Sequence, residues 1–316
     1  RAFHAPRTNV LRLRQSELAG RAVLVMTVVA SMDLGSETEK QKILELQQHA
    51  FGDFSGPLFD HILRDTPRGA VGYGIHDDGR LVAFNAFMGH SVHRAGQTGI
   101  AYQSCMSATH KGHGGRGYFS KIIKHAQQDL KTRGGAFIFG FPNHNSGPIF
   151  VKKLGFTLSE NQPCVFLRNP LGLLGQIDGG MLLEQMVPDT SVTFDMRETA
   201  AWKSGQDDSF FELDHLTNYL FGKVQRKTIK GVPLRLMIIG GYEINKPHQF
   251  GTLIARAMKQ VGAQFARTNA NAHGPLARAS GLRRSTAKTE PTIAFPLNWD
   301  VEAQFVEACG GIKDVY

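Results

Sequence analysis

Cysteine is scarce in this chain: three residues in 316, at positions 105, 164 and 309. An odd number at wide spacing excludes a disulfide framework, and without a CxxC pair there is no zinc ribbon, so a reducing, cytoplasmic setting is expected. Long apolar runs are missing too. The longest, AVLVMTVVA at 22–30, spans nine residues, against the roughly 18 needed to cross a bilayer, and its valine content reads as a buried strand, placed at 23–29. Acidic residues are the minority: 27 Asp and Glu against 36 Lys and Arg leave a net charge of +9. The basic residues are scattered in pairs, with no long run and no interleaved aromatic platform. That speaks against nucleic acid and leaves a polyanionic small molecule as the partner the charge would suit. The basic opening, RAFHAPRTNVLRLR, reads as a processed end or the remnant of a targeting segment.

What is present is ordinary globular composition, with 41% hydrophobic and 20% charged residues. Ser36 followed by Glu39 is a capping box ahead of a helix at 40–51, and a second short helix fits 57–64. The turn DDGR at 77–80, between apolar runs at 71–76 and 81–88, predicts a hairpin. A further strand at 99–107 enters the loop THKGHGGRG at 109–117 and then a helix at 118–133. Gly134 and Gly135 stop that helix, and a strand follows at 136–141. The chain continues through PNHN at 142–145, a short helix to Lys153, the triplet LGF at 154–156 and a strand near Val165. Helices alternating with strands, with an antiparallel hairpin among them, predict an α/β chain with a mixed sheet.

Residues 169–187 look like a linker. Beyond it the N-x-N pair at Asn143 and Asn145, followed ten residues later by Gly155, echoes Asn269, Asn271 and Gly281 at an offset of 126. Duplication is the reading, with domains at 20–168 and 191–316 joined by 169–190.

The glycine loop carries the chemistry. Four glycines between a strand and a helix let backbone N–H groups converge at the helix's positive end, with Lys111 and Arg116 adding charge, which suits a pyrophosphate. The G-K-[ST] of a Walker loop is absent. Strand, glycine loop, long helix, strand, Asn loop, short helix and LGF together resemble motifs A and B of the GNAT superfamily of acyltransferases. The segment Gly114-Gly115-Arg116-Gly117-Tyr118-Phe119 corresponds there to [RQ]-x-x-G-x-[GA], which cradles the coenzyme A pyrophosphate. Gly114 stands where Arg or Gln is usual. The segment FGFPNHNS at 139–146 is similar to two-domain sugar N-acyltransferases with a degenerate second GNAT half. In place of a glycine loop the second half has YEINKPHQFG at 242–251.

The resemblance implies a GNAT-like fold with a second, degenerate GNAT-like domain that completes the acceptor cleft or a dimer surface. It implies acetyl- or acyl-coenzyme A as co-substrate, no metal, one coenzyme A site per chain, and direct transfer to a small-molecule amine such as a nucleotide-linked amino sugar. A homodimer is a superfamily expectation. The backbone of Cys105, Met106 and Ser107 would meet the thioester oxygen, and Lys111, Gly114, Gly115, Arg116, Gly117, Tyr118 and Asn145 would hold coenzyme A. The usual tyrosine acid, four residues before the LGF glycine, is Val151 here, so His144, Asn145 and His110 are the catalytic candidates, with Tyr118 beside them. His90 and His93 are candidate bases, since an unperturbed histidine titrates near neutrality. Their spacing on a strand puts them on opposite faces, against metal binding. Asp53 is a candidate wall of the acceptor pocket, and Cys105, inside an apolar strand, a poor nucleophile. A Fem-type aminoacyltransferase and a catalytically degenerate binding module are the alternative readings.

Overall fold

The computed structural model describes residues 28–52, 54–167, 192–205, 209–243, 250–271, 283–284 and 290–306. The basic N-terminal stretch, Asp53, the linker at 169–190, most of the 242–251 segment and the end of the second N-x-N echo lie outside them.

Strand β1 (Val29–Met32) leads to helix α1 (Glu37–Phe51). The Ser36 side chain accepts from the Glu39 amide as the capping box predicts, and Glu37 and Glu39 sit at the helix's positive end. Helix α2 (Gly56–Phe59) continues into a π-helical turn, Asp60–Arg64. The DDGR turn joins β2 (Ala70–Asp77) to β3 (Arg80–Arg94), and β4 (Gln97–Thr109) returns antiparallel to β3. Both β3 and β4 outrun the sequence expectation, because pairing with each other rather than hydrophobic pattern sets their length. Helix α3 (Tyr118–Thr132) buries Tyr118, Ile122, Ile123, Ala126 and Leu130, a stripe of helical period. Strand β5 (Phe137–Gly140), helix α4 (Gly147–Leu154) and β6 (Thr157–Leu167) complete the first half. Of the strand expected at 23–29, residues 23–27 lie outside the described set, and β1 starts at Val29.

The second half runs β7 (Thr193–Phe194), α5 (Met196–Ser204), β8 (Phe210–His215), β9 (Asn218–Ile229), β10 (Val232–Glu243), α6 (Phe250–Gln260), β11 (Phe265–Asn271), β12 (Arg283–Arg284) and β13 (Glu290–Pro296). No described helix is long and apolar enough to cross a membrane.

All described strands belong to one mixed sheet of order β1-β2-β3-β4-β5-β13-β6-β11-β10-β9-β8, with β7 pairing β3 and β12 pairing β6. The segment β8-β9-β10-α6-β11 pairs antiparallel, antiparallel, then parallel across a helix. That is the order and sense of β2-β3-β4-α3-β5. At the centre the two halves interleave: β13 from the end of the chain pairs β5, while β6 pairs β11.

Helices α1 and α3 cover opposite faces of the first half, α1 over Phe84, Met88 and Met106 and α3 over Tyr73, Phe87 and Ile138. A third cluster joins the halves, packing Phe137 and Phe139 of β5 against Phe194, Tyr219 and Phe221. Each such ring is worth about 1.5–3 kcal/mol of hydrophobic stabilisation on burial, so the second half is part of the scaffold behind β4 and β5.

Candidate functional site

Strands β4 and β5 run parallel and pair only at Tyr102–Ile138 and Gln103–Phe139. Beyond that apex they part, and a cavity of about 440 Å³ opens between them, floored by residues 103–109 of β4 and walled by Phe119, Phe141, Asn145, Ile149 and Phe150. The splay coincides with a β-bulge. Phe84 pairs with Ala108 and Ala86 with Cys105, so two residues of β4, Met106 and Ser107, face the single Asn85 of β3. Met106 adopts φ +52°, a left-handed conformation that costs a non-glycine residue about 1–2 kcal/mol. Two buried amides hold it. Gln47 of α1 donates to the Met106 carbonyl at 2.6 Å. Asn85 donates to the Ala86 carbonyl at 2.9 Å, lies 3.2 Å from the Ser104 hydroxyl, and accepts from the Ser107 hydroxyl.

At the open end of the cleft lies the glycine loop. His110 begins a 3-10 turn, Lys111–His113, its Nδ1 accepting from the Gly112 amide at 3.2 Å. Gly115 (φ +77°) and Gly117 (φ +75°) then turn the chain into α3, in a region that favours glycine, and a Cβ on either would meet no atom within 4 Å. That open space lies beside the first turn of α3, where unpaired amides and the helix dipole favour an anion. Lys111 and Arg116 are exposed there. Asp77 anchors the loop from below, 3.1 Å from His113 Nε2 and 3.4 Å from Arg116 Nη1. On the far side of the cleft Asn143 Oδ1 accepts from the Asn145 and Ser146 amides, both at 3.0 Å, and thereby starts α4.

A bulged, splayed β4 feeding an anion-ready loop and helix is the arrangement of a known family, and residues 32–159 match the family model of the acetyltransferase (GNAT) domain. This segment is a GNAT acetyltransferase domain. Solved structures with the same fold include GCN5-related N-acetyltransferases from Kribbella flavida (TM-score 0.62, 12% identity, 87% of this chain and 72% of that one). Another is from Anabaena variabilis (TM-score 0.59, 11% identity, 86% and 73%). A third is Eis1 from Mycobacterium abscessus (TM-score 0.51, 12% identity, 84% and 73%). At such identities the likeness is one of fold, and it extends past the GNAT domain into the second half. No curated protein matches the chain.

Within the GNAT domain the cleft brings together Cys105, Met106, Ser107 and Asn145, with Phe119 at the start of α3. Lys111, Gly114, Gly115, Arg116 and Gly117 are exposed in the loop beyond it, while Tyr118 turns into the core. His144 is exposed, and the cavity wall is formed by its neighbours Asn143 and Asn145 without it. His110 stacks on His49 of α1 at 4.0 Å with the rings parallel, and partial desolvation, then His49, Arg80 and His113, lower its pKa. Val151, where the family's tyrosine is usual, is partly exposed on α4 and is not part of the cavity lining. His93 is exposed and 3.2 Å from the Thr98 hydroxyl. Among the described residues no three His, Cys, Asp or Glu side chains are grouped as a metal site.

Burial pushes the Cys105 thiol up to about 12, against a smaller opposing effect of a backbone hydrogen bond from Met88. A thiol so placed is protonated at neutral pH and non-nucleophilic. Cys105→Ala is therefore expected to keep turnover within about threefold of the parent, since an uninvolved site leaves transition-state stabilisation unchanged. A drop of several orders in a steady-state assay would restore it as a nucleophile.

His90 is buried. Its Nε2 lies 3.0 Å from Gln103 Oε1, and its ring meets Phe139 and Phe194 edge-on. Burial, reinforced by the Lys203 charge and opposed by the Gln103 hydrogen bond, lowers its pKa from 6.5 to about 4. The imidazole is neutral at pH 7 and too weak a base to take a proton from an ammonium. Because the folded value lies below the unfolded one, the unfolded chain binds the extra proton. The stability His90 contributes is thus full above pH 6.5 and is lost as pH falls toward 4, a change of about 3 kcal/mol. Thermal melts from pH 7 to 4 are expected to fall more steeply for the parent than for His90→Gln; parallel curves would remove His90 from this account.

Gln47, Asn85 and Gln103 were not legible as site residues. For Asn85 and Gln103 the one available signal was a lone amide inside an apolar strand, as in LVAFNAFMG and AYQSCM, which a buried position admits only with hydrogen-bond partners.

Proposed function

We propose that this chain is an acyl-coenzyme A N-acyltransferase that moves its acyl group directly onto a small-molecule amine, and that the acceptor is the amine of a nucleotide-linked amino sugar. The observation that carries the reading is the position of the β4–β5 cleft, lined by Thr109 and Phe119, the residues that flank the glycine loop and the start of α3. The pyrophosphate fits the loop amides at 114–118 with Lys111 and Arg116, and the thioester arm fits the cleft. The surplus of positive charge supports two polyanionic substrates.

In this reading the neutral amine attacks the thioester carbon and a C–N bond forms. The carbonyl oxygen takes up charge against the bulge backbone at Cys105–Ser107, an oxyanion-type contact. The C–S bond then breaks, and the proton shed by the amine passes to the leaving sulfur through water ordered at Asn145. His144 and His110, expected from sequence as proton donors, take outer roles: His144 at the cleft rim and His110 in shaping the loop through its bond to Gly112. Residues 191–316 are a degenerate GNAT-like domain following the first at 20–168, and close the acceptor side through β7 on β3.

Gly114 in place of Arg or Gln, and Val151 in place of the tyrosine, favour a second reading, a GNAT fold kept as a binding module. Calorimetric titration with coenzyme A, acetyl-coenzyme A and a longer acyl-coenzyme A separates the two. Binding at one site per chain, followed by thiol release on adding a nucleotide amino sugar, is the expected result. No binding by any of the three would leave the module.

A further inference from the structure

Gln103 sits at the closed apex of the cleft, the last β4 residue paired with β5, and lines the cavity while being only 4% exposed. Its Oε1 is engaged by His90 Nε2 at 3.0 Å. Its amide nitrogen has no protein partner among the described residues, yet it is not one of the sealed, unsatisfied atoms of the interior. That leaves two amide donors on a residue that lines the cavity.

His90 decides which way the amide is turned. Burial keeps the imidazole neutral at pH 7, so one ring nitrogen carries hydrogen and the other a lone pair. Gln103 Oε1 can only accept, so the 3.0 Å contact puts the hydrogen on Nε2, which donates to it, and leaves the lone pair on Nδ1. Phe139 of β5 and Phe194 of β7 clamp the ring edge-on. Phe194 belongs to the second half, so that half reaches the site through His90.

We infer that Gln103 selects the acyl group carried by coenzyme A, admitting chains that offer an oxygen at the apex, and that His90 is the positioning residue aiming its amide. The inference rests on the acyl-coenzyme A reading above. With the pyrophosphate at the open, glycine-loop end, the acyl group points toward the closed end. An acetyl group leaves room for water on the Gln103 N–H2. A plain alkyl chain that reaches the apex covers those donors without satisfying them, and a site built to hydrogen-bond rejects such an analogue. A chain of the same length carrying a hydroxyl supplies the acceptor.

The test is calorimetric titration of the full chain with coenzyme A, acetyl-coenzyme A, butyryl-coenzyme A and 3-hydroxybutyryl-coenzyme A. The parent is expected to bind the hydroxybutyryl donor at least about tenfold more tightly than the butyryl donor. Gln103→Leu is expected to bring that ratio to unity or invert it, with the affinity for coenzyme A itself unchanged. His90→Leu is expected to lose most of the preference, and His90→Gln, which can still donate to Oε1, to recover it; a purely structural histidine would not give that rescue. Butyryl and hydroxybutyryl donors binding the parent within twofold of one another, or a ratio untouched by Gln103→Leu, would overturn the inference while coenzyme A binding kept the parent reading intact. Absence of coenzyme A binding would overturn both.

Discussion

Gly117→Asp is expected to weaken coenzyme A binding by at least about a hundredfold while leaving the fold in place, the cost of setting like charges together. Gly117 is the N-cap of α3 at φ +75° and ψ 14°, and a side chain there would project into open space. Aspartate enters the left-handed region more readily than most residues and is among the favoured helix N-caps. The substitution should therefore cost no more stability than alanine does at the same position. Its carboxylate, however, occupies the place where the loop amides and helix dipole would receive an anion. Gly117→Ala supplies the control. Alanine costs about 1–2 kcal/mol of backbone strain but adds no charge, so binding should fall much less. Calorimetry on both variants, with melts to verify folding, separates charge from strain. Coenzyme A bound by the aspartate variant as tightly as by the parent would mean that the loop does not hold the pyrophosphate.

Asn85→Ala is expected to act on both stability and turnover. The amide is fully buried opposite the bulge, where the β3–β4 ladder skips a pairing, and ties together Ala86, Ser104 and Ser107. Truncation leaves the Ala86 carbonyl short of a partner, while the half-buried Ser104 and Ser107 hydroxyls, which line the cleft, can turn to water. A buried group left unpaired costs about 1–3 kcal/mol, and a loss of stability of that size is expected. The bulge at Met106 then rests on Gln47 alone among these two amides. If the bulge backbone meets the thioester oxygen, its misplacement should lower kcat on the order of a hundredfold, the scale of a lost oxyanion donor. Coenzyme A affinity, set mainly at the glycine loop, should change little. Melts, calorimetry and single-turnover rates on the same preparation test this division. A folded variant with parental kcat would detach the bulge from the chemistry.

Much of the first half was legible before any fold was known. The DDGR turn joins Ala70–Asp77 to Arg80–Arg94. Helix α3 matches its expected span to within a residue, because helical periodicity and a glycine stop are local signals. The glycine loop stands between strand and helix where the sequence put it, and Asn145 does reach the cleft. His90 shows where such reading stops. On a strand at an alternating position it looked like a candidate base, and nothing nearby in sequence says that Phe139 and Phe194, one from another strand and one from the other half, close over it. The pKa follows from that enclosure. Gln103 looked like one more polar residue in an apolar strand, and its meaning comes from the apex where β4 and β5 part.

The interleaving at the centre of the sheet was equally out of reach. The N-x-N echo pointed to duplication, and the strand order of β8–β11 repeats that of β2–β5. That β13 pairs β5 while β6 pairs β11 depends on partners about a hundred residues away or more. The sequence by itself determined the helices, the hairpin and the glycine loop, because caps, turns and hydrophobic period act between residues a few positions apart. Only the tertiary structure decided the bulge at Met106, the neutrality of His90, the aim of Gln103 and the sharing of one sheet by both halves, because register, burial and hydrogen-bond partnership are properties of distant segments brought into contact.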